Sequence, residues 1–297
     1  MAPRRRLAQR VAALAVLIAA VAAVLAVVIG SHSGEPTVRP PVATASTPQP
    51  PPVHRRRRVR HLPPAPAQVT GDAARRMPIP ILMYHVVGNR PPTAPYPELW
   101  VAPTTFAAQM NALRRAGYYA ITLRQAYDAW TSGGPLPRRP VVLSFDDGYL
   151  GDWANVRPVL RRLRWPGVLN LVLHNTASGD LSPSKVRGLI RNGWEVDSHT
   201  ITHIDLTTVG AAQLRTELVD SKRQLHSRFG VPADFFCYPV GRYDDQVVAA
   251  VKAAGYLAAT TENEGYARPE SMFTLARIRV NDTDTPATLL ARLQSER

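Results

Sequence analysis

The sequence predicts an α/β fold in which parallel strands form a closed or nearly closed barrel, with an open doubly wound sheet as the second interpretation. From residue 78 onward, short apolar runs alternate with helical patterns, which favours parallel strands joined by right-handed crossovers. About seven such repeats occupy residues 78–297. Polar residues recur where the apolar runs end, and in both architectures the carboxyl ends of the strands carry the functional groups.

The N-terminal region predicts a membrane anchor. A basic stub, residues 1–10, precedes 19 uninterrupted apolar residues at 11–29, a length that can cross a bilayer as a helix. The arginines of the stub should stay cytoplasmic, so we expect an uncleaved signal-anchor and an extracellular location for the rest of the chain. A cleaved signal peptide, which would make the protein secreted, is the alternative. Its apolar region usually spans only about 7–15 residues.

Residues 30–77 predict a disordered linker. Ten prolines lie between Pro36 and Pro66, and bulky apolar residues are almost absent, so the segment cannot bury enough surface to fold. The run "HRRRRVRH" at 54–61 is either a solvated charge run or a contact to anionic lipid or wall polymer. The formal net charge of the chain is +14, but residues 1–77 hold 12 arginines against two acidic residues. Because the charge belongs to this arm, we expect no nucleic-acid partner.

The elements of residues 78–297 are predicted from their apolar periodicity. The first half has strands at 79–87, 119–122 and 140–148, with helices at 105–118 (capped by Thr104 and ended by Gly117), 123–130 and 152–165, the last containing Pro158. The second half has strands at 167–174, 194–200, 235–239, 258–261 and 274–280, with helices at 182–193, about 208–229, and 245–256. The single cysteine, Cys237, excludes an intrachain disulfide.

Chemically competent side chains follow several of these strands. Asp146 and Asp147 end the strand at 140–148, and four of the eight histidines also follow strands: His85, His174, His199 and His203. Two histidines and one carboxylate can form a three-ligand site for Zn²⁺ or another divalent ion that leaves positions open for water. A second carboxylate held off the ion could then take a proton from that water. For an isolated H-x-x-x-H pair, two surface histidines without a metal would be the better interpretation.

Three segments carry a family resemblance. "SFDDG", "HTITH" and "YPVG" resemble, in content and order, the first three motifs of the polysaccharide deacetylases of carbohydrate esterase family 4, the NodB-homology group. "ILMYHVV" is similar to the opening of the branch that deacetylates poly-β-1,6-N-acetylglucosamine. The resemblance spans nearly all of residues 78–297. It implies a distorted (β/α)7-type barrel and a metal-dependent hydrolase that removes N-acetyl groups from an extracellular hexosamine polymer, either peptidoglycan or poly-N-acetylglucosamine.

The resemblance also implies roles for individual residues. Asp146 would be the general base, and Asp147, His199 and His203 would bind the metal, with Zn²⁺ as the first candidate and Co²⁺ or Ni²⁺ as alternatives. The backbone N–H of Val240 would stabilise the oxyanion, within the substrate-binding motif formed by Tyr238, Pro239, Val240 and Gly241.

The sequence departs from the family pattern at two places. The motif arginine that orients the base is replaced by Cys237, and the late motifs, including the histidine that acts as general acid, have no clear counterpart. We expect His85 to supply the acid, with His174 as the secondary candidate, and Arg277 to hold Asp146 ionised. For each of these three residues, a position at the barrel rim without a catalytic role is the alternative.

Other functions fit parts of the pattern. An acetyl-ester esterase of the xylan type would use the same barrel and metal. An Fe(II) oxygenase also uses two histidines and one carboxylate, but it would be expected to carry its aspartate two residues after a histidine. A non-catalytic wall-polymer-binding module would explain the missing motifs. The presence of Asp146 argues against that module, because binding alone needs no base.

Overall fold

The computed structural model describes residues 67–177 and 180–295. The predicted basic stub, the apolar segment at 11–29 and the linker up to residue 66, with its arginine run, lie outside the described residues. Among the helices that are described, none has the length and apolar character required to span a membrane.

The strands and helices alternate along the described chain. The strands are β1 (Gln68–Val69), β2 (Ile81–Tyr84), β3 (Val86–Val87), β4 (Trp100–Val101), β5 (Tyr119–Ile121), β6 (Leu136–Pro137), β7 (Pro140–Asp147), β8 (Val168–Leu171), β9 (Glu195–Ser198), β10 (Phe235–Cys237), β11 (Ala258–Glu264) and β12 (Leu275–Arg279). The helices are α1 (Gly71–Arg75), α2 (Pro103–Arg115), α3 (Leu123–Ser132), α4 (Arg157–Leu163), α5 (Pro183–Arg191), α6 (Ala211–Arg215), α7 (Ser221–Phe229), α8 (Asp245–Ala253) and α9 (Pro286–Ser295).

Seven parallel strands close into a barrel in the order β2-β12-β11-β10-β9-β8-β7, and β7 pairs again with β2. An eighth strand, β5, lies beside the first half of β7. Val142 of β7 pairs with Ile81 on one edge and with Ile121 of β5 on the other. The predicted seven-stranded parallel barrel is confirmed, and the open doubly wound sheet is excluded.

Several element boundaries differ from prediction for local reasons. Helix α2 begins at Pro103, with Ala102 as its N-cap. Proline is favoured at the first helical position, so the helix already includes Thr104, the predicted cap. Pro158 lies in the first turn of α4, which begins at Arg157 after a π-helical turn at Asp152–Val156, so the proline does not interrupt the helix. A second π-helical turn, Thr216–Asp220, joins α6 to α7 within the predicted helix at 208–229. Helix α9 was not predicted from the sequence.

The folded unit also begins earlier than predicted. Strand β1 pairs antiparallel with β6, and the backbone N–H of Gly71 donates to the Gly133 carbonyl at 2.9 Å. The Arg75 guanidinium donates to the carbonyls of Thr131 and Ser132 at the end of α3. The sequence interpretation assigned residues 68–77 to the linker on composition. The structure instead places them in the barrel unit, because their backbone and the Arg75 side chain form hydrogen bonds with residues 131–137.

The side chains of β7 alternate between two environments, as in any strand. Val141, Leu143 and Phe145 pack in a large apolar cluster with residues of α2, α4 and α5. The other face points into the barrel interior and carries Val142, then Ser144 and Asp146, all buried. Asn170 of β8 and Arg277 of β12 are buried on the matching faces of their strands. The barrel is therefore apolar at one end and polar toward the end where the strands terminate.

Candidate metal centre and active site

The side chains of Asp146 and Asp147 reach the same mouth of the barrel because the backbone turns sharply at Asp147 and Gly148. Asp147 has a φ of +72° and Gly148 a φ of +91°, both in the left-handed region. This conformation breaks the strand alternation that would send the Asp147 side chain away from Asp146. The φ of Gly148 is one that glycine adopts without strain, and a Cβ there would also lie 2.6 Å from Cδ1 of Leu171. The motif D-D-G thus delivers two carboxylates to one site.

The predicted ligands lie together. Oδ1 of Asp147 is 3.6 Å from Nε2 of His199 and 3.4 Å from Nε2 of His203, and the two imidazole nitrogens are 3.1 Å apart. Asp147 follows β7 and the histidines follow β9, so the parallel barrel brings together residues about 50 positions apart. The convergence expected from the sequence is present.

These residues fit a divalent ion. Their three separations are close to the ~3.4 Å edge of a tetrahedron with metal–ligand bonds of about 2.1 Å. The Nδ1 of His199 lies 2.8 Å from the carbonyl oxygen of Cys237, which accepts a hydrogen bond from the Nδ1–H tautomer. That tautomer leaves the lone pair of Nε2 directed at Asp147 and His203, as a metal-binding histidine requires. Burial and the neighbouring His199 lower the pKa of His203, which favours its neutral, ligating form.

The loop that carries the two histidines is held by a buried carboxylate. Glu217, in the π-helical turn between α6 and α7, accepts hydrogen bonds from the backbone N–H groups of Ile201 and Thr202 at 2.7 and 3.1 Å, and from the Thr202 hydroxyl at 2.7 Å. The Thr200 hydroxyl accepts from the His203 N–H at 2.9 Å. Thr200 and His203 both have positive φ, so this loop adopts a backbone that needs such support.

Asp146 is buried beside the triad and is held as a carboxylate. Nη1 of Arg277 lies 2.9 Å from both of its oxygens, and Nδ2 of Asn170 donates to Oδ1 at 2.7 Å. Burial alone would raise the pKa of Asp146, but the Arg277 guanidinium, the nearby histidines and the Asn170 hydrogen bond outweigh burial and hold it well below its usual range. Arg277 therefore lies in contact with Asp146, the position that its predicted role requires, and that role stays a prediction.

Cys237 lies where the family motif has arginine, and it is fully buried. Its Sγ is 3.7 Å from Oδ2 of Asp146, and burial raises the pKa of the thiol, which keeps it protonated. Asp146, His199 and Cys237 also form a compact group of possible ligand atoms. The Arg277 cation on Asp146 opposes an ion in that second group, so the Asp147, His199 and His203 set is the better match.

His85, the predicted acid, also faces this site. It is buried, and its Nε2 is 4.0 Å from Oδ2 of Asp146. Its Nδ1 has no hydrogen-bond partner among the described residues. Burial lowers the pKa of His85 although Asp146 and Asp147 act in the opposite direction. The position suits a proton donor beside the base, while the catalytic role itself stays a prediction.

The "YPVG" segment, residues 238–241, contributes to another wall of the site. Tyr238 is buried and donates from its hydroxyl to the Phe273 carbonyl at 3.0 Å. Val240 has a φ of +49° and an exposed side chain, and Pro239 before it is buried. Gly241 has a φ of +66°, and a Cβ there would lie 2.5 Å from Glu262. Glycine is therefore required for the tight approach of this turn to β11.

These residues surround one cleft of about 600 Å³ at the carboxyl ends of the strands. Its lining includes seven predicted residues: His85, Asp146, Asp147, His199, His203, Tyr238 and Val240. Pro239, Gly241 and Arg277 lie behind the lining and support it. His174 is exposed and does not line the cleft, because the chain leaves β8 at Leu171 and its side chain points to solvent. The structure therefore does not bring the secondary acid candidate to the site.

Sequence reasoning missed several residues that act here. Asn170, Glu217, Tyr149, Asn175, Glu262, Arg279 and the loop residues Tyr96, Glu98 and Leu99 support or line the cleft. Asn170 had a signal, since a lone amide inside the apolar strand "GVLNLVLH" predicts a polar partner in the barrel interior. Glu217 had none, because it lies in an ordinary charged helical pattern.

Comparison with known proteins identifies this domain. The family model described as polysaccharide deacetylase matches residues 133–259, the segment that contains both aspartates, both histidines and Cys237. The chain carries a polysaccharide deacetylase domain. This hydrolase class removes acetyl groups from polysaccharides, and metal dependence is typical of it.

Relatives of the deacetylase domain support the assignment. The chain is 29% identical over 207 residues to "Putative polysaccharide deacetylase YxkH" of Bacillus subtilis, covering 68% of this chain and 71% of the relative. It is 42% identical over 60 residues to the poly-beta-1,6-N-acetyl-D-glucosamine N-deacetylase of Escherichia coli K12, covering 20% of this chain and 9% of that protein. The Streptococcus pyogenes deacetylase PplD, solved with acetate, has a TM-score of 0.69 and 27% identity, covering 73% of this chain and 98% of that chain.

Proposed function

We propose that this deacetylase is a metal-dependent N-deacetylase of an extracellular hexosamine polymer, either peptidoglycan or poly-N-acetylglucosamine. The observation that supports it best is the three-residue ligand set with a separate, ionised carboxylate beside it. Asp147, His199 and His203 would hold the ion, while Asp146 is engaged by Arg277 and Asn170 and lies free of the ligand set. A divalent ion bound there would polarise the acetyl carbonyl and lower the pKa of a bound water.

In this proposal the chain's own residues move the protons. Asp146 accepts a proton as the oxygen of water adds to the acetyl carbon, and Arg277 and Asn170 keep that carboxylate ionised and oriented. The Val240 backbone N–H would donate to the oxyanion, a kind of contact that contributes about 2.7–4 kcal/mol in other enzymes. His85 then donates a proton to the leaving amine as the carbon–nitrogen bond breaks. The products are acetate and a free amine on the sugar.

The N-terminal sequence supports an extracellular location. Residues 11–29 would anchor the chain in the membrane, and the proline-rich linker would let the barrel reach a polymer outside the cell. The arginine run at 54–61 would bind anionic lipid or wall polymer. We propose that the protein is located in the cell membrane, with its catalytic barrel outside the cell. Protease treatment of intact cells should remove the barrel and leave the N-terminal stub protected.

Acetate release tests the chemistry. The full-length chain should release acetate from peptidoglycan or poly-N-acetylglucosamine, and a chelator should abolish the release until Zn²⁺, Co²⁺ or Ni²⁺ is restored. Asp146→Asn should lower kcat by about 10²–10⁴ while ion binding persists. Release from acetylated xylan alone would instead support ester hydrolysis. Unchanged activity in Asp146→Asn would show that Asp146 is not the base.

A further inference from the structure

The loop at residues 88–99 contributes Tyr96, Glu98 and Leu99 to the wall of the cleft, and both of its ends are held by hydrogen bonds. Its ends are tied by β3 and β4, by the Gly88 N–H that donates to the Val101 carbonyl, and by the Asp282 N–H that donates to the Glu98 carbonyl at 3.0 Å. Four prolines lie within it: Pro91, Pro92, Pro95 and Pro97. Proline fixes its own φ and restricts the residue before it, so this wall loses little conformational entropy when a ligand binds.

Tyr96 lies in this loop between Pro95 and Pro97, and its side chain is 63% exposed. Among the described residues, Tyr96, Leu150 and Val240 are the large apolar side chains that are exposed, and only Tyr96 and Val240 line the cleft. An aromatic ring held open to water at the edge of a ligand cleft indicates a contact surface rather than a packing residue.

We infer that Tyr96 is the platform of a sugar-binding subsite, on which the hexosamine unit next to the one being deacetylated stacks. This inference rests on the proposed function. The cleft that contains the metal ligands continues to Tyr96, Glu98 and Leu99, so a chain whose acetyl group reaches Asp147 and His203 extends along that wall. The axial C–H bonds of a pyranose give it an apolar face that matches the tyrosine ring, while the exposed Glu98 carboxylate beside it can accept hydrogen bonds from sugar hydroxyls.

The subsite makes chain length a determinant of activity. A single sugar can occupy the space at the ligands, whereas only a longer chain gains the contact with Tyr96. Binding energy from a unit that does not react positions the reacting acetyl group, so longer oligomers should be better substrates. A polymer-acting enzyme of this kind would prefer internal units to chain ends.

Steady-state kinetics of the full-length chain with β-linked N-acetylglucosamine oligomers of two to five units tests the subsite, with 4-nitrophenyl acetate as a substrate too small to reach the loop. Tyr96→Ala should lower kcat/KM about three- to tenfold on the longer oligomers, mainly through KM, and leave ester hydrolysis unchanged. Tyr96→Phe should keep most of the oligomer activity because it retains the ring. Leu150→Ala removes an exposed apolar side chain outside the cleft lining and should leave both activities unchanged.

The outcomes separate the two proposals. If wild type deacetylates the oligomers and Tyr96→Ala keeps the same chain-length profile, the subsite is overturned and the proposed function stands. An equal loss on the ester and on the oligomers would also overturn the subsite, because it would indicate damage to the catalytic centre. If wild type releases acetate from neither the oligomers nor peptidoglycan, the proposed function fails and the subsite fails with it. Release from peptidoglycan alone would keep the proposed function and overturn the subsite.

Discussion

Nη1 of Arg277 lies 2.9 Å from both carboxylate oxygens of Asp146, and the side chains of both residues are at least 98% buried. The arginine comes from the last barrel strand and the aspartate from β7, 131 residues earlier in the chain. Arg277 also donates through Nε to the Thr261 carbonyl at 2.7 Å, so its position is fixed from behind. A cation from β12 therefore occupies the place that the family resemblance assigns to an arginine at position 237.

Removal of the Arg277 cation should make the barrel less stable. Arg277→Met leaves a buried carboxylate without its partner, and we expect the free energy of unfolding to fall by about 3–5 kcal/mol. Urea unfolding measures it. Arg124→Ala breaks an exposed ion pair with Asp128 and should cost about 0–1 kcal/mol. The double variant Arg277→Met with Asp146→Asn should recover part of the loss, and a purely additive result would contradict the pairing.

The thiol of Cys237 is a packing group in our interpretation, so Cys237→Ala should bind one divalent ion as tightly as wild type. The thiol is protonated and lies beside the Arg277 cation, which disfavours an ion there. Isothermal titration with Zn²⁺ measures the affinity. His203→Ala removes one of the three proposed ligands and is the control that should bind the ion more weakly. Weakened binding in Cys237→Ala together with full affinity in His203→Ala would place the ion in the alternative set of Asp146, His199 and Cys237.

Glu217 should act on the ion without touching it. Glu217→Gln weakens the three hydrogen bonds that shape the loop at residues 199–203, and we expect ion affinity to fall about 10–100-fold, as for other residues that orient metal ligands. Glu270→Gln, an exposed glutamate, is the control. Ion titration and thermal unfolding of the ion-free protein separate an effect on ligand geometry from one on stability. An affinity equal to wild type would show that the loop holds its shape without Glu217.

Asp152 should make stability fall as pH rises. It is fully buried, and neither carboxylate oxygen has a hydrogen-bond partner among the described residues. Burial, with Asp147 and Asp146 nearby, raises its pKa well above the ordinary value, so the folded state holds a proton that the unfolded chain loses above about pH 4. Its contribution to stability is therefore complete below that pH and is lost at up to about 1.4 kcal/mol per pH unit as pH rises toward the folded pKa.

Asp152→Asn tests this sign, because the amide cannot ionise. With chelator present, the variant should be about 1–3 kcal/mol more stable than wild type at pH 8 and similar to it at pH 4. Asp128→Asn, on an exposed helix face, should show no such trend. A stability difference that does not change with pH would mean that Asp152 is already ionised in the folded protein.

The features that the sequence predicted correctly are those that depend on the local hydrophobic pattern and on where each strand ends. Periodicity located the barrel strands, and the rule that parallel strands end at one mouth brought Asp147, His199 and His203 together correctly. His174 failed because its strand ends three residues earlier, so the extra turn carries the imidazole to the surface. Glu217 and Tyr96 were out of reach, since their roles depend on which loop they face across the barrel. The early start of the folded unit was missed because β1 is specified by its partner strand and not by its own composition.

Closure of the ring by β12 has a consequence for biosynthesis. Ile278 and Arg279 pair with Leu82 and Met83 of the first barrel strand, so the sheet is joined end to end only when its final strand arrives. A nascent chain leaving the ribosome already holds every candidate ion ligand before it holds Arg277, the cation that contacts Asp146. Under the proposed roles, hydrolytic competence would require synthesis to pass residue 277, and products truncated before that residue should release no acetate.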